Sequence, residues 1–192
     1  MLLRFRHAIL ALLPLAALLI YAGCPRGSAT TVVLAATPPA SSPSASQSEL
    51  LPDQVNTRGW TKAWTNLLND VEQNFTPTLP KLHAVEVQLV LGNPGHSKAL
   101  LKLSILDSKG RELSVVKKLV AANNCDRVRF LIPYGGLQLN PGENYRIRLS
   151  GDETFGWKYI VGGYPNGGAT FNGHPLLPDA PSSFLFQTFG SN

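Results

Sequence analysis

The sequence predicts an all-β chain, a two-sheet antiparallel β-sandwich of jelly-roll-like form, on three observations. Apolar and polar residues alternate with a period of two in several short segments, turn residues recur about every ten positions, and no strand–helix–strand rhythm is visible. The composition agrees: 44% hydrophobic and 15% charged residues, with 17 Gly and 15 Pro in 192, describe a globular, turn-rich chain. That length suits one domain with appendages, and no internal repeat suggests a propeller or solenoid.

The N-terminus reads as an export signal. Arg4 and Arg6 precede an uncharged run of 15 residues, Ala8 to Ala22, broken only by Pro14. A spanning helix needs about 20 residues, so residues 1–23 read as a signal peptide, with an uncleaved anchor as the alternative. The run ends Tyr21-Ala22-Gly23-Cys24. This resembles the lipobox of bacterial lipoproteins, in which small residues precede a cysteine that is acylated before cleavage; Tyr21 stands where an aliphatic residue is usual, and Pro25 follows directly. The resemblance implies lipidation at Cys24 and a lipoprotein anchored on the cell surface or facing the periplasm. Each buried methylene of such chains contributes about 0.8 kcal/mol of membrane affinity. An ordinary signal peptide with an incidental Cys24 is the competing reading.

Residues 24–51 are rich in Ser, Pro and Ala and bury too little apolar surface to fold, so they read as a spacer, interrupted by the apolar island Val32–Ala36. With Cys24 lipidated, Cys125 has no intramolecular partner and reads as a small buried thiol. The net charge of +5 falls to 5 − 2 = +3 once Arg4 and Arg6 leave with the signal. The basic residues are spread among strands without interleaved aromatics, so no nucleic-acid partner is expected.

The β-domain is placed at 52–192. Trp60, Ala63, Trp64, Leu67, Leu68 and Val71 lie at helical spacing, and a short helix or an irregular strand both fit Trp60–Val71. Val85, Val87, Leu89 and Leu91 alternate with Glu86 and Gln88, and Leu101, Leu103 and Ile105 repeat the pattern. Asp107-Ser108-Lys109-Gly110 is a turn with glycine at the position that tolerates positive φ, so Arg111–Val115 begins a return strand. Val128, Phe130 and Ile132 give the next apolar face, closed by Pro133. After the Asn140-Pro141-Gly142-Glu143 turn, Tyr145, Ile147 and Leu149 alternate with Arg146 and Arg148. Trp157–Val161 and Phe184–Phe189 complete seven or eight strands, and the stretch between them reads as a long loop.

Asp53-Gln54, Gln73-Asn74-Phe75-Thr76-Pro77, the Leu-Ser-Ile-Leu-Asp strand end, the Leu-Asn-Pro-Gly-Glu-Asn-Tyr turn and the closing Phe-Leu-Phe-Gln-Thr-Phe resemble a loose group of bacterial extracellular β-sandwich modules similar to carbohydrate-binding-module jelly rolls. The resemblance covers residues 53–192 and implies a fold and a location; it assigns no binding residue.

Catalytic signatures are absent: the sequence has no Gly-x-Ser-x-Gly, His-Glu-x-x-His, Gly-rich phosphate loop or Cys-x-x-Cys. Ser114-x-x-Lys117 lies on a predicted strand, where the two side chains point to opposite faces. His83, His96 and His174 lack metal-ligand spacing, and Asp152-Glu153 reads as a turn rather than a glycosidase pair. No enzyme, metal or cofactor is expected. The remaining signal is aromatic. Phe155, Trp157, Tyr159, Tyr164 and Phe171 lie within 17 residues, interleaved with Asn166, Asn172 and His174 in a glycine-rich stretch. Sugars stack apolar faces on aromatic rings and share hydroxyls with amides, so Trp157, Tyr159, Tyr164, Asn166, Asn172 and His174 are the candidate glycan contacts, with Tyr164 expected at the surface. The alternative is a structural or assembly protein that docks on another envelope protein through a sheet face or edge.

Overall fold

The computed structural model describes residues 50–57 and 63–192. The expected signal peptide, Cys24, most of the expected spacer and Trp60 lie outside the described residues.

The described residues form an antiparallel sandwich of fifteen short strands. In chain order these are β1 (Leu51–Asn56), β2 (Trp64–Asn66), β3 (Val71–Phe75), β4 (Lys81–Val87), β5 (Leu89–Leu91), β6 (Lys98–Leu106), β7 (Glu112–Ala121) and β8 (Val128–Leu131). There follow β9 (Leu137–Gln138), β10 (Tyr145–Ser150), β11 (Phe155–Val161), β12 (Ala169–Phe171), β13 (His174–Pro175), β14 (Ser182–Phe184) and β15 (Phe186–Ser191). One large sheet has the order β1-β15-β4-β8 with β9 also beside β4, and the other runs β13-β12-β3-β10-β6-β7.

A third, smaller sheet arises where one large sheet forks. β4 and β15 pair from Lys81↔Ser191 to Val87↔Phe186, keep one last bond from the Gln88 amide to the Leu185 carbonyl at 3.1 Å, and then part. The Lys158 amide donates to the Gln88 carbonyl at 3.0 Å, and the Leu185 amide donates to the Lys158 carbonyl at 2.9 Å. β11 therefore crosses the fork, with β5 and β14 along one edge and β2 along the other. The Trp157 ring stacks on Phe184 at 4.4 Å, and its indole N–H donates to the Leu185 carbonyl at 2.9 Å. Its polar atom is thereby satisfied within an apolar core.

The period-two pattern is borne out by burial. Val85, Val87, Leu89, Leu101, Leu103, Ile105, Phe130, Ile147 and Leu149 all lie in one buried cluster. Truncating one of the larger side chains to Ala should cost about 2–5 kcal/mol. The opposite face of β3 and β10 is polar: Glu72, itself buried, takes Arg146 at 2.9 Å and Arg148 at 2.7 Å.

Two local expectations are made definite and two are corrected. Among the described residues Trp64–Asn66 and Val71–Phe75 are strands, so of the two readings of Trp60–Val71 the extended one holds. The return strand after the Asp107 turn runs on to Ala121, because β7 pairs β6 along its whole length. The stretch after β11 is not a structureless loop, since it contributes β12 and β13 to the edge of the large sheet. The hairpin between these two strands turns at Asn172-Gly173, both with positive φ (51° and 78°), the pattern of a two-residue type I′ turn.

The second correction concerns Tyr164, which is buried rather than exposed. Its hydroxyl donates to Gln54 Oε1 at 2.7 Å and accepts the Thr76 amide at 3.3 Å, while its ring meets Phe186 edge-on at 5.2 Å. Burial holds its phenol above the ordinary value of 10.0. An aromatic ring with a polar tip fills a core site well when that tip finds partners, which Tyr164 does.

Candidate functional site

The six residues drawn from sequence do not assemble into one surface. Trp157 is fully buried and Tyr164 buried, while Tyr159 is half-buried with its ring edge-on to Phe184 at 6.2 Å. Asn166, Asn172 and His174 are exposed. Of these, Asn172 has the backbone task of the β12–β13 turn, its amide donating to the Asp70 carbonyl at 3.0 Å. This end of the sandwich thus offers amides and an imidazole to solvent without an accompanying stacking platform from Trp157 or Tyr164.

The opposite edge of the same large sheet, at β7, is shaped differently. A cleft of about 310 Å³ separates residues 112–115 of β7 from the segment 132–137. It adjoins a wider hollow of about 630 Å³, with Leu113 common to both, bounded by the β6–β7 turn and residues 138–145. At the rim of the first stands Tyr134, whose side chain is 100% exposed.

The position of Tyr134 follows from its turn. The Ile132 amide is tied to the His83 carbonyl at 2.8 Å and the Leu139 amide to the Pro80 carbonyl at 2.8 Å, so the segment between them must bulge. The bulge closes by a bond from the Gly136 amide to the Pro133 carbonyl at 3.1 Å. Both central residues have positive φ, Tyr134 at 56° and Gly135 at 75°. For tyrosine this conformation costs roughly 1–2 kcal/mol, and such strain collects at functional sites. Gly136 is required for a separate reason: a Cβ there would lie 2.9 Å from the Leu82 carbonyl oxygen and 3.0 Å from His83 Nδ1. His83, packed beneath this turn, also meets Ser191 Oγ at 2.9 Å. Its partial burial, and then the charge of Lys81, hold its pKa below 6.5.

The walls of the hollow are polar and internally hydrogen-bonded. The Arg111 backbone amide bonds Asp107 Oδ1 at 2.9 Å, and the Lys109 amide bonds the same oxygen at 3.0 Å. The Arg111 amide outweighs the opposing effect of burial and, with the Lys109 amide and the Arg111 guanidinium, holds the Asp107 carboxyl below its usual range. Asp107 is thereby consumed in fixing the turn. On the other wall, the Tyr145 hydroxyl accepts the Asn140 amide at 3.0 Å and donates to Glu143 at 3.2 Å. Burial pushes its phenol above 10.0. Ser108, Gln138, Asn140, Glu143 and Asn144 remain exposed around the hollow. The arrangement pairs one free aromatic face with hydroxyl, amide and carboxylate groups, a set able to stack on an apolar face and exchange hydrogen bonds with hydroxyls.

Sequence reading missed Tyr134, although the signal was present. Pro133-Tyr134-Gly135-Gly136 puts an aromatic residue inside a turn motif, where no core can cover it. One further exposed aromatic, Trp64, lies flat over Gly92 and Gly156, where a Cβ on Gly156 would approach its Cε3 to 2.1 Å.

Ser114 stands opposite Ile105 and Lys117 opposite Lys102, so the two fall on opposite faces of β7. Asp152 accepts the Thr154 amide at 2.8 Å as a turn residue, and Glu153 bonds Asn93 at 2.9 Å. Among the described residues no group of three His, Cys, Asp or Glu side chains is placed to hold a metal ion. Cys125 is buried. Comparison with protein-family models and with curated proteins gives no match.

Proposed function

We propose that this protein is a non-catalytic binding module, held outside the cytoplasm at a membrane through a lipid on Cys24, whose folded domain takes a glycan along the β7 cleft. The observation that carries the reading is Tyr134, fully exposed and held out by a strained turn at the rim of a cleft that Glu112 and Ser114 also line. A ring in this position stacks on a sugar face. Ser108, Gln138 and Asn140 meet the hydroxyls.

Docking on another envelope protein is the second reading, favoured by the pairing of β7 with β6 alone, which leaves ten residues of strand at the sheet edge. A glycan array and polysaccharide pulldown with the wild-type chain separate the two. Retention on a polysaccharide, competed by its own oligosaccharides, supports the first reading. A correctly folded chain that binds no glycan moves the assignment to protein docking.

A further inference from the structure

The outer face of the β6–β7 hairpin carries a pattern that neither the cleft nor the core uses. The inner side chains of β6, Leu101, Leu103 and Ile105, are fully buried, so the alternate positions face outward. Leu100 and Leu119 stand directly opposite one another on that outer face, 58% and 59% exposed. Lys98 precedes this leucine pair along the hairpin, and the facing residues Lys102 and Lys117 follow it. Lys102 is paired with Glu112 at 3.0 Å. Lys98 and Lys117 are exposed and make no ion pair among the described residues.

We infer that this face rests on an anionic lipid surface, Leu100 and Leu119 entering the headgroup layer while Lys98 and Lys117 meet lipid phosphates. Exposed aliphatic side chains flanked by lysines are the composition of interfacial membrane-binding surfaces, where the long lysine stems lie along the apolar layer and the ammonium groups reach the headgroups. Protein interfaces have the opposite bias, being depleted in lysine at their centres. Lys117 and Lys118 lie on the β7 edge strand itself, and lysines on an edge oppose strand addition by a second copy. The position in the fold is also compatible with ligand access. The cleft takes the Glu112 end of β7, whereas the leucine pair lies toward the Ala121 end, so the two use different parts of the strand.

The inference relies on the proposed anchoring only to bring the domain to a membrane, and its test reads the two separately. The full chain is reconstituted in phosphatidylcholine vesicles with and without phosphatidylglycerol, and in detergent. Flotation reads the anchor. A membrane-impermeant amine reagent reads the face, with Lys109 of the β6–β7 turn as internal control. Labelling of Lys98 and Lys117 should slow several-fold on the phosphatidylglycerol vesicles alone, recover in high salt as the charges are screened, and be unprotected in the double variant Leu100→Ser, Leu119→Ser. Equal labelling in all three media overturns the inference, as does protection that persists in detergent, which would assign the face to a protein contact. The doubly exposed Leu→Ser changes should leave the fold intact, and a circular-dichroism spectrum matching wild type is the accompanying control; Lys98→Glu with Lys117→Glu tests the charge half and should also abolish protection.

Discussion

The phenolic hydroxyl of Tyr164 donates to Oε1 of Gln54 at 2.7 Å, joining the segment after β11 to the first strand of the domain across 110 positions of sequence. The same neighbourhood is tied by Asn56 Nδ2 to Ser183 Oγ at 3.1 Å and by the Phe184 amide to Gln73 Oε1 at 2.7 Å. β1 is an edge strand, and the Gln54 and Asn56 contacts supplement its single ladder with β15. Tyr164→Phe leaves the ring packing in place and removes both the bond to Gln54 and the one accepted from the Thr76 amide, so it should lower stability by about 1–2 kcal/mol in urea unfolding. Ligand binding should be unchanged, because the hydroxyl faces the core.

Asn172 should behave as a turn residue rather than a ligand contact. Its φ of 51° is tolerated by Asn and Gly and resisted by Ala. Asn172→Gly should therefore leave stability nearly unchanged, whereas Asn172→Ala should lose about 1 kcal/mol in the same denaturant titration. Loss of glycan retention in both variants, with the fold intact, would contradict this assignment.

The stability of the sandwich should carry a small acid-side dependence from His83. Its folded pKa lies below 6.5 because partial burial, followed by the Lys81 charge, disfavours the imidazolium. Above 6.5 both folded and unfolded states are neutral here and the full stability is present. As the pH falls through 6.5 the unfolded chain takes up a proton that the folded chain refuses, so stability declines until the folded value is passed. An NMR titration of the His83 ring should give a midpoint under 6.5, and one above it would show that the environment beside Gly136 has been misread.

Much of the fold was legible in the sequence because strand alternation is a local property. Val85, Leu103, Phe130 and Ile147 are buried for the reason their neighbours Glu86, Lys102, Arg129 and Arg148 are more accessible: successive side chains leave opposite faces of a strand. The Asp107–Gly110 turn was legible for the same reason. The fork was not, since nothing in Gln88 or Leu185 announces that β4 and β15 will part there and admit β11. That division depends on Trp157 needing a buried site and on three segments distant in sequence. Asn172-Gly173 was a readable hairpin signal, obscured by the surrounding glycines and prolines. The candidate site suffered most, because aromatic density pointed to Trp157 and Tyr164. Large rings with satisfiable polar atoms are good core residues, whereas the isolated Tyr134 has no core within reach.

Tyr134 permits the most direct test, because its conformational strain and its exposure oppose one another. Tyr134→Gly relieves the cost of positive φ and removes no packing, so it should leave stability unchanged or raise it by up to about 1 kcal/mol. The decisive measurement is the affinity of wild type, Tyr134→Gly and Tyr164→Phe for whichever polysaccharide the wild-type chain retains, each variant first shown to be folded. The cleft assignment requires Tyr134→Gly to lose most of the affinity while Tyr164→Phe keeps it. Full affinity in a stable Tyr134→Gly variant would contradict it.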